Sequence, residues 1–380
     1  MLIKTLTIPP ISMDTRHMSL EEPLLLPYPI NLPVNAAFKM KLTTLFFSII
    51  GLTTSFTQAS TTLTDEGVYK NLTEYVQYAA AAACIDTSKG VKVGYLNSSC
   101  VGQACINADA DEYVVDVVDS LSNAIIMTDT SEAQIIIAFQ GSRSFVDYVV
   151  DFSFIPVDYE PYAVKNNLAT KEFNADDASV HVGFKTATDN FLKNAVDVLK
   201  SLKDEYPDYS VLVTGHSLGG ALASLTGVEL YLMGFEPTVV TYAAPKVFNK
   251  DMVEWVDQVF NTDQYLSDLE AGNVHQIPKG TFSRVTHTKD IVPAVPLVVM
   301  GYYHAGVDYY ITKEDLPQAM SDVEIRGKFS TLYDVTTLGS YAGSVLKDPI
   351  DALKNNTVKW YHRKYFTVVS ECHLSDEASN

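Results

Sequence analysis

Val211-Leu-Val-Thr-Gly215-His216-Ser217-Leu218-Gly219-Gly220-Ala221 is an apolar run that enters a Gly-x-Ser-x-Gly turn and leaves it in a stretch rich in Ala and Leu. A buried strand, a sharp turn and a helix are the parts of a nucleophile elbow. Such a turn forces the serine into a strained backbone conformation. Glycines must flank it, because side chains there would collide with the neighbouring strand and helix. The hydroxyl is left exposed at the sheet edge. The helix that starts after Ser217 aims free backbone N–H groups and its positive dipole end at the place where an oxyanion would form.

Outward from this turn, short apolar runs recur at Gln134 to Phe139, Thr238 to Ala243 and Arg284 to Thr286, beside Ser210 to Thr214 of the elbow itself. Each reads as a strand buried on both faces. Between Thr186 and Glu205, apolar Phe191, Leu192, Ala195, Val196, Leu199 and Leu202 fall three and four apart, and Pro207 ends the helix. Buried strands alternating with amphipathic helices predict an α/β fold with a mostly parallel central sheet flanked by helices. No repeat, low-complexity block or Pro/Gly/Ser linker divides residues 60–380, which are expected to form a single domain.

A serine hydroxyl is a weak nucleophile and needs a histidine base, which in turn needs an acid to fix its tautomer. Where the chain order is Ser, acid, His, only His362 and His373 lie far enough beyond Ser217 to follow a further strand and its acid. His362 is the candidate base. Asp290 follows a strand-like run and precedes Ile291-Val-Pro293, which places it on a loop at a strand's C-terminal end, where open α/β sheets carry their sites. Asp308 is its competitor.

The strand ending at Phe139-Gln140-Gly141-Ser142 is suited to bring a backbone N–H, and the Ser142 hydroxyl, to an oxyanion beside the N–H of Leu218. Next, Phe145, Tyr148, Val149 and Phe152 fall at i, i+3, i+4 and i+7, predicting a short amphipathic helix. Directly after the oxyanion turn, it is placed to serve as a lid over the site, with a core-facing helix as the alternative. Ile291 to Met300 is uncharged, apolar and interrupted by two prolines. It is read either as the wall of an acyl-chain groove or as core.

The 380 residues carry 27 Lys and Arg against 46 Asp and Glu, a formal charge of −19, with no basic run. This excludes nucleic acid as a partner. Residues 1–39 hold six prolines and no period, and read as an upstream extension outside the mature protein. Met40-Lys41, the uncharged span Leu42 to Phe56 and Thr57-Gln58-Ala59 have the layout of a secretory signal peptide over residues 40–59. That span is shorter than the ~20 residues a bilayer crossing needs, so no stable membrane insertion is expected. A secreted, extracellular protein follows. Cys84, Cys100, Cys105 and Cys372 are then read as two disulfides with three possible pairings, the close Cys100 and Cys105 suiting a local loop closure. Asn71, Asn97 and Asn355 head sequons that could accept glycans. No metal site is read.

Jointly, Phe139-Gln-Gly-Ser142, His181-Val-Gly-Phe184, Thr214-Gly-His-Ser-Leu-Gly-Gly220, Arg284-Val-Thr-His-Thr-Lys-Asp290-Ile-Val-Pro293, Gly301-Tyr-Tyr-His304 and Tyr361-His362 through Tyr365-Phe366 resemble the secreted fungal and yeast lipases of the class 3 type. The resemblance covers roughly residues 65–373. It implies the α/β-hydrolase fold with a short helical lid near residues 144–151. Ser217, Asp290 and His362 would be the triad, and Ser142 and Leu218 the oxyanion hole. It also suggests pairing of Cys84 with Cys372 and of Cys100 with Cys105. Two departures stand out: Gln140 where family members often have Arg, and Tyr242-Ala-Ala-Pro245 in place of Gly-Gln-Pro.

The expected function is a secreted triacylglycerol lipase, a monomer with no cofactor, meeting its ester substrate at an oil–water interface. A feruloyl-type or other carboxylic ester hydrolase on the same scaffold is one alternative. A catalytically silent secreted lipid-binding glycoprotein is the other.

Overall fold

The structure is a computed structural model that describes residues 60–84, 115–116, 123–142, 155–328 and 360–369. Thr57–Asn380 groups as one compact unit, and the other unit, Met1–Phe56, lies wholly outside the described residues. The strands are β1 (Thr61–Thr62), β2 (Val115–Asp116), β3 (Ala124–Asp129), β4 (Gln134–Phe139), β5 (Pro156–Asp158), β6 (Ser179–His181), β7 (Ser210–His216), β8 (Pro237–Tyr242), β9 (Phe282–His287), β10 (Val307–Ile311), β11 (Val323–Arg326), β12 (Lys364–Tyr365) and β13 (Thr367–Val368). The helices are α1 (Glu66–Cys84), α2 (Tyr162–Lys165), α3 (Val182–Glu205), α4 (Leu218–Leu232), α5 (Lys250–Val259) and α6 (Thr262–Glu270).

Among the described residues, nine strands form the main sheet in the order β1-β11-β10-β9-β8-β7-β4-β3-β2. The five in its centre, β4 through β10, pair in parallel. The flanks are antiparallel, with β3 on β4 and β2 on β3 at one side and β11 on β10 and β1 on β11 at the other. β7, which delivers Ser217, therefore lies in the interior of the sheet.

Successive side chains of a strand point to opposite faces, and this divides the core in two. Ile135, Ile137 and Phe139 of β4, with Val211 and Val213 of β7, pack on one face against Phe191, Leu192 and Ala195 of α3 and against α4. Ile136, Ala138 and Leu212 pack on the other against Leu72, Val76 and Ala79 of α1. Every residue of α4 but Tyr231 is buried, because the helix is enclosed by the sheet and by α3 and α2.

The predicted strand Gln134–Phe139 has the observed bounds of β4, and the other three are extended or shifted by one or two residues. α3 begins a turn earlier than predicted, at Val182, where His181 caps it by accepting the N–H of Gly183 at 3.2 Å. The run Ile291–Met300 divides between its two readings. Ile291 to Ala294 is buried, with a 3-10 turn at Val292–Ala294, whereas Val299 and Met300 are exposed.

Glu229 is a carboxylate inside this apolar packing, 1% exposed on α4. Burial pushes its pKa up, and three donors oppose that shift: the Tyr159 hydroxyl at 2.7 Å and the N–H groups of Tyr162 and Ala163 at 2.8 and 2.9 Å. The carboxylate thus seats the start of the single-turn α2 on the helix that follows the elbow. Both of its oxygens act as acceptors. In Glu229→Gln one of them becomes an NH2 facing a donor, so denaturant unfolding should show a loss of about 1–3 kcal/mol.

Candidate active site

The elbow has the geometry that its glycines require. Ser217 sits at φ 60°, ψ −125°, a sparsely populated region for a residue with a side chain. Its N–H donates to the Tyr242 carbonyl of β8 at 2.9 Å. A Cβ at Gly215 would lie 2.4 Å from the Gly219 carbonyl, and one at Gly219 would lie 2.4 Å from the Phe139 carbonyl of β4. These are the strand and helix collisions expected of a tight elbow.

Asp290 follows β9 and is fully buried. Its Oδ2 accepts the Nδ1–H of His362 at 2.9 Å and the hydroxyl of Tyr365 at 2.6 Å, and its Oδ1 accepts the N–H of Val292 at 3.0 Å. Burial alone would raise the pKa of this carboxyl. The His362 charge and hydrogen bond, with the Tyr365 and Val292 donors, outweigh burial and leave the pKa below the ordinary aspartate value. Since Asp290 can only accept, the proton of a neutral His362 sits on Nδ1. Its Nε2 lone pair then faces Ser217, whose Oγ is 2.8 Å away. Asp308, the competing acid, is also buried, but it accepts from Thr286 at 2.7 Å and faces the Arg284 guanidinium at 3.7 Å. His373 lies outside the described residues.

Gly141 and Ser142 lie beside the elbow: a Cβ at Gly141 would meet the His216 carbonyl at 2.8 Å and the Ser217 Cβ at 3.6 Å. Gln140 receives the Asn123 amide at 2.9 Å and reaches the Ala83 carbonyl of α1 at 3.4 Å. It fixes the base of the turn. Leu218 opens α4, so its N–H, at the first position of the helix, has no carbonyl one turn earlier in the helix to bond.

Nothing in the sequence marks Gln318, which receives the Phe366 N–H at 2.7 Å and donates to the Lys364 carbonyl at 3.3 Å. With the Lys364–Asp315 ion pair, it fastens the segment carrying His362 to the loop between β10 and β11. Phe145, Tyr148, Val149 and Phe152 of the expected lid lie outside the described residues, as do Cys100, Cys105, Cys372, Asn97, Asn355 and the expected signal peptide. Cys84, at the end of α1, is disulfide-bonded. Asn71 is half-buried on α1, its side-chain oxygen accepting the N–H of Ile277 at 2.8 Å. Among the described residues no group of His, Cys, Asp and Glu is arranged to hold a metal, and no helix is long and apolar enough to cross a membrane.

Two substitutions address the acid. Asp290→Asn replaces one of the two acceptor oxygens by an NH2 donor, so the His362 tautomer is no longer fixed, and ester hydrolysis should fall about 10⁴-fold in kcat. The same change removes a carboxylate whose pKa is depressed by folding. The wild type should therefore carry extra stability above the ordinary aspartate pKa that fades as pH falls through the folded-state value, a component missing from denaturation curves of the variant. Tyr365→Phe deletes one charged hydrogen bond and should cost kcat about tenfold.

The class 3 lipase family pattern matches residues 136–300, from β4 through the loop beyond Asp290. "Putative lipase LIH1" of Saccharomyces cerevisiae is 32% identical over 327 residues, which span 80% of this chain and 94% of the yeast protein. Secreted mono- and diacylglycerol lipase 2 of Gibberella zeae is 36% identical over 201 residues, 50% of this chain and 47% of that one, so the chain spans about half of that relative's length. The crystal structure of Lip2 lipase from Yarrowia lipolytica superposes with a TM-score of 0.64 at 25% identity, covering 84% of this chain and 99% of Lip2. These likenesses carry the α/β-hydrolase fold. With the parallel strands from β4 to β9 matched by the family pattern and nearly the whole of a yeast relative aligned to it, the chain belongs to the class 3 lipase family.

Proposed function

We propose that the protein is a secreted lipase that cleaves triacylglycerol esters through an acyl-enzyme on Ser217. The observation that carries this reading is the unbroken relay from Ser217 Oγ to His362 Nε2 at 2.8 Å and from His362 Nδ1 to Asp290 at 2.9 Å. Ser217 Oγ attacks the ester carbonyl carbon while its proton passes to His362 Nε2, and the carbonyl π-electrons move onto oxygen. The N–H groups of Ser142 and Leu218 receive that oxyanion. When the tetrahedral adduct collapses, the bond to the glycerol oxygen breaks, and His362 returns the proton to the leaving alkoxide. Water then attacks the acyl-serine, gives its proton to His362, and the fatty acid leaves as Ser217 recovers its hydroxyl.

Lipid is favoured over a small polar ester by the surface around these segments. Of the five large apolar side chains exposed among the described residues, Val299 and Met300 end the run after Asp290, Ile155 begins the chain beyond the expected lid, and Trp360 stands two residues before His362. Exposed apolar side chains on the segments that carry the acid and the base suit contact with an uncharged oil surface. Secretion rests on the signal-peptide layout at Met40 to Ala59 and on relatives named as secreted lipases.

Hydrolysis of tributyrin should rise steeply above its solubility limit, exceed that of methyl ferulate, and vanish in Ser217→Ala. A preference for the ferulate would replace the lipase with a feruloyl-type esterase, and no phosphonate labelling of Ser217 would leave a silent binder. Cleavage of monobutyrin but not tributyrin would restrict the substrate to partial glycerides. N-terminal sequencing of protein recovered from the medium should begin near residue 60, and retention inside the cell would reject secretion.

A further inference from the structure

His216, the residue before the nucleophile, is 7% exposed, and its Nε2 lies 2.7 Å from the main-chain carbonyl oxygen of His362. A carbonyl only accepts, so His216 Nε2–H is the donor. The two imidazoles lie 4.7 Å apart at 41°, and the Tyr365 ring closes the far side of His216 at 5.6 Å and 71°. His216 itself is immobile: it ends β7, in register with Tyr242 of β8, and its own carbonyl abuts Gly141 of the oxyanion turn.

Building on the proposed hydrolase reading, we infer that His216 is a positioning residue that holds the backbone of His362 to the elbow throughout turnover. The side-chain bond between Ser217 and His362 cannot do this, because it is lost once Ser217 Oγ is acylated. The bond from His216 reaches the peptide carbonyl of His362, which takes no part in proton transfer, so it persists when the His362 ring is charged and when Ser217 is esterified. Gln318 and Asp315 fasten the same segment a few residues on, at residues 364 and 366. Of these attachments, the His216 bond is the one made at the backbone of His362 itself.

A second cation beside His362 would oppose formation of its imidazolium. Burial first, then the neighbouring His362 charge, hold the His216 pKa down to about 3, so the ring stays a neutral donor while His362 gains and loses its proton.

The test compares His216→Leu, which fills the space without a donor, with His216→Gln, whose amide N–H reaches the same carbonyl. In the purified full-length protein, with a soluble p-nitrophenyl ester, the Leu variant should lose about 10- to 100-fold in kcat at nearly unchanged KM, in both the acylation burst and the steady-state turnover. The Gln variant should recover most of this loss. The low-field proton resonance of His362 Nδ1–H should be broadened in the Leu variant and restored in the Gln variant. If the Leu variant melts below the assay temperature, His216→Asn, polar but too short to reach, replaces it. A wild-type kcat in the donor-free variant, or equal losses in the donor-free and Gln variants, would reduce His216 to packing. Phosphonate labelling of Ser217 in the wild type keeps this result separate from the enzyme reading, because an unlabelled wild type would sink that reading first.

Discussion

A serine held at φ 60°, ψ −125° is the constraint around which the molecule is arranged. A non-glycine residue in such a region costs on the order of 1–3 kcal/mol, and it persists only where its surroundings leave no alternative. The surroundings here are the interior of a parallel sheet, a hydrogen bond from its own N–H to the adjacent strand, and a helix buried along almost all of its length. Neither the turn nor the helix can relax without opening a core that spans both faces of the sheet. The hydroxyl is thereby fixed to within the tolerance that proton transfer demands.

The electrostatics of the site follow from burial. An isolated carboxylate inside a protein is costly, and Asp290 is made tolerable by three donors of distinct origin: a side chain of the base, a phenol from the same C-terminal segment, and an amide of its own loop. Each of those bonds also fixes geometry, so the stabilisation of the charge and the orientation of the imidazole are one arrangement. His216 provides the contrasting case, a buried imidazole kept uncharged beside one that must become charged.

Much of this was legible in the chain because the chemistry is local. The run around Ser217 contains its strand, its turn glycines and its helix within eleven residues, and β4 was bounded correctly because an unbroken Ile-rich stretch admits few alternatives. Asp290 and His362 followed from order and context. β10 was not legible, since Asp308 near its start reads as a candidate acid on a loop until Arg284 and Thr286 of the neighbouring strand are seen to satisfy it. β3 is a short apolar run that periodicity alone cannot separate from helix, and the antiparallel pairing with β4 decides it. Tyr365, Gln318 and His216 escaped for a related reason: each acts through hydrogen bonds to groups far off in sequence, and no spacing rule encodes such partners.

The attachment of His362, so far along the chain from Ser217, carries a temporal consequence. Its partner Ser217 precedes it by 145 positions, so a polypeptide still emerging from synthesis already holds the elbow and the acid but lacks the base. Contacts this distant form late, after the sheet has assembled. Hydrolytic competence therefore waits on the docking of the segment that carries His362, and a sheet that has formed without it holds a serine with no base.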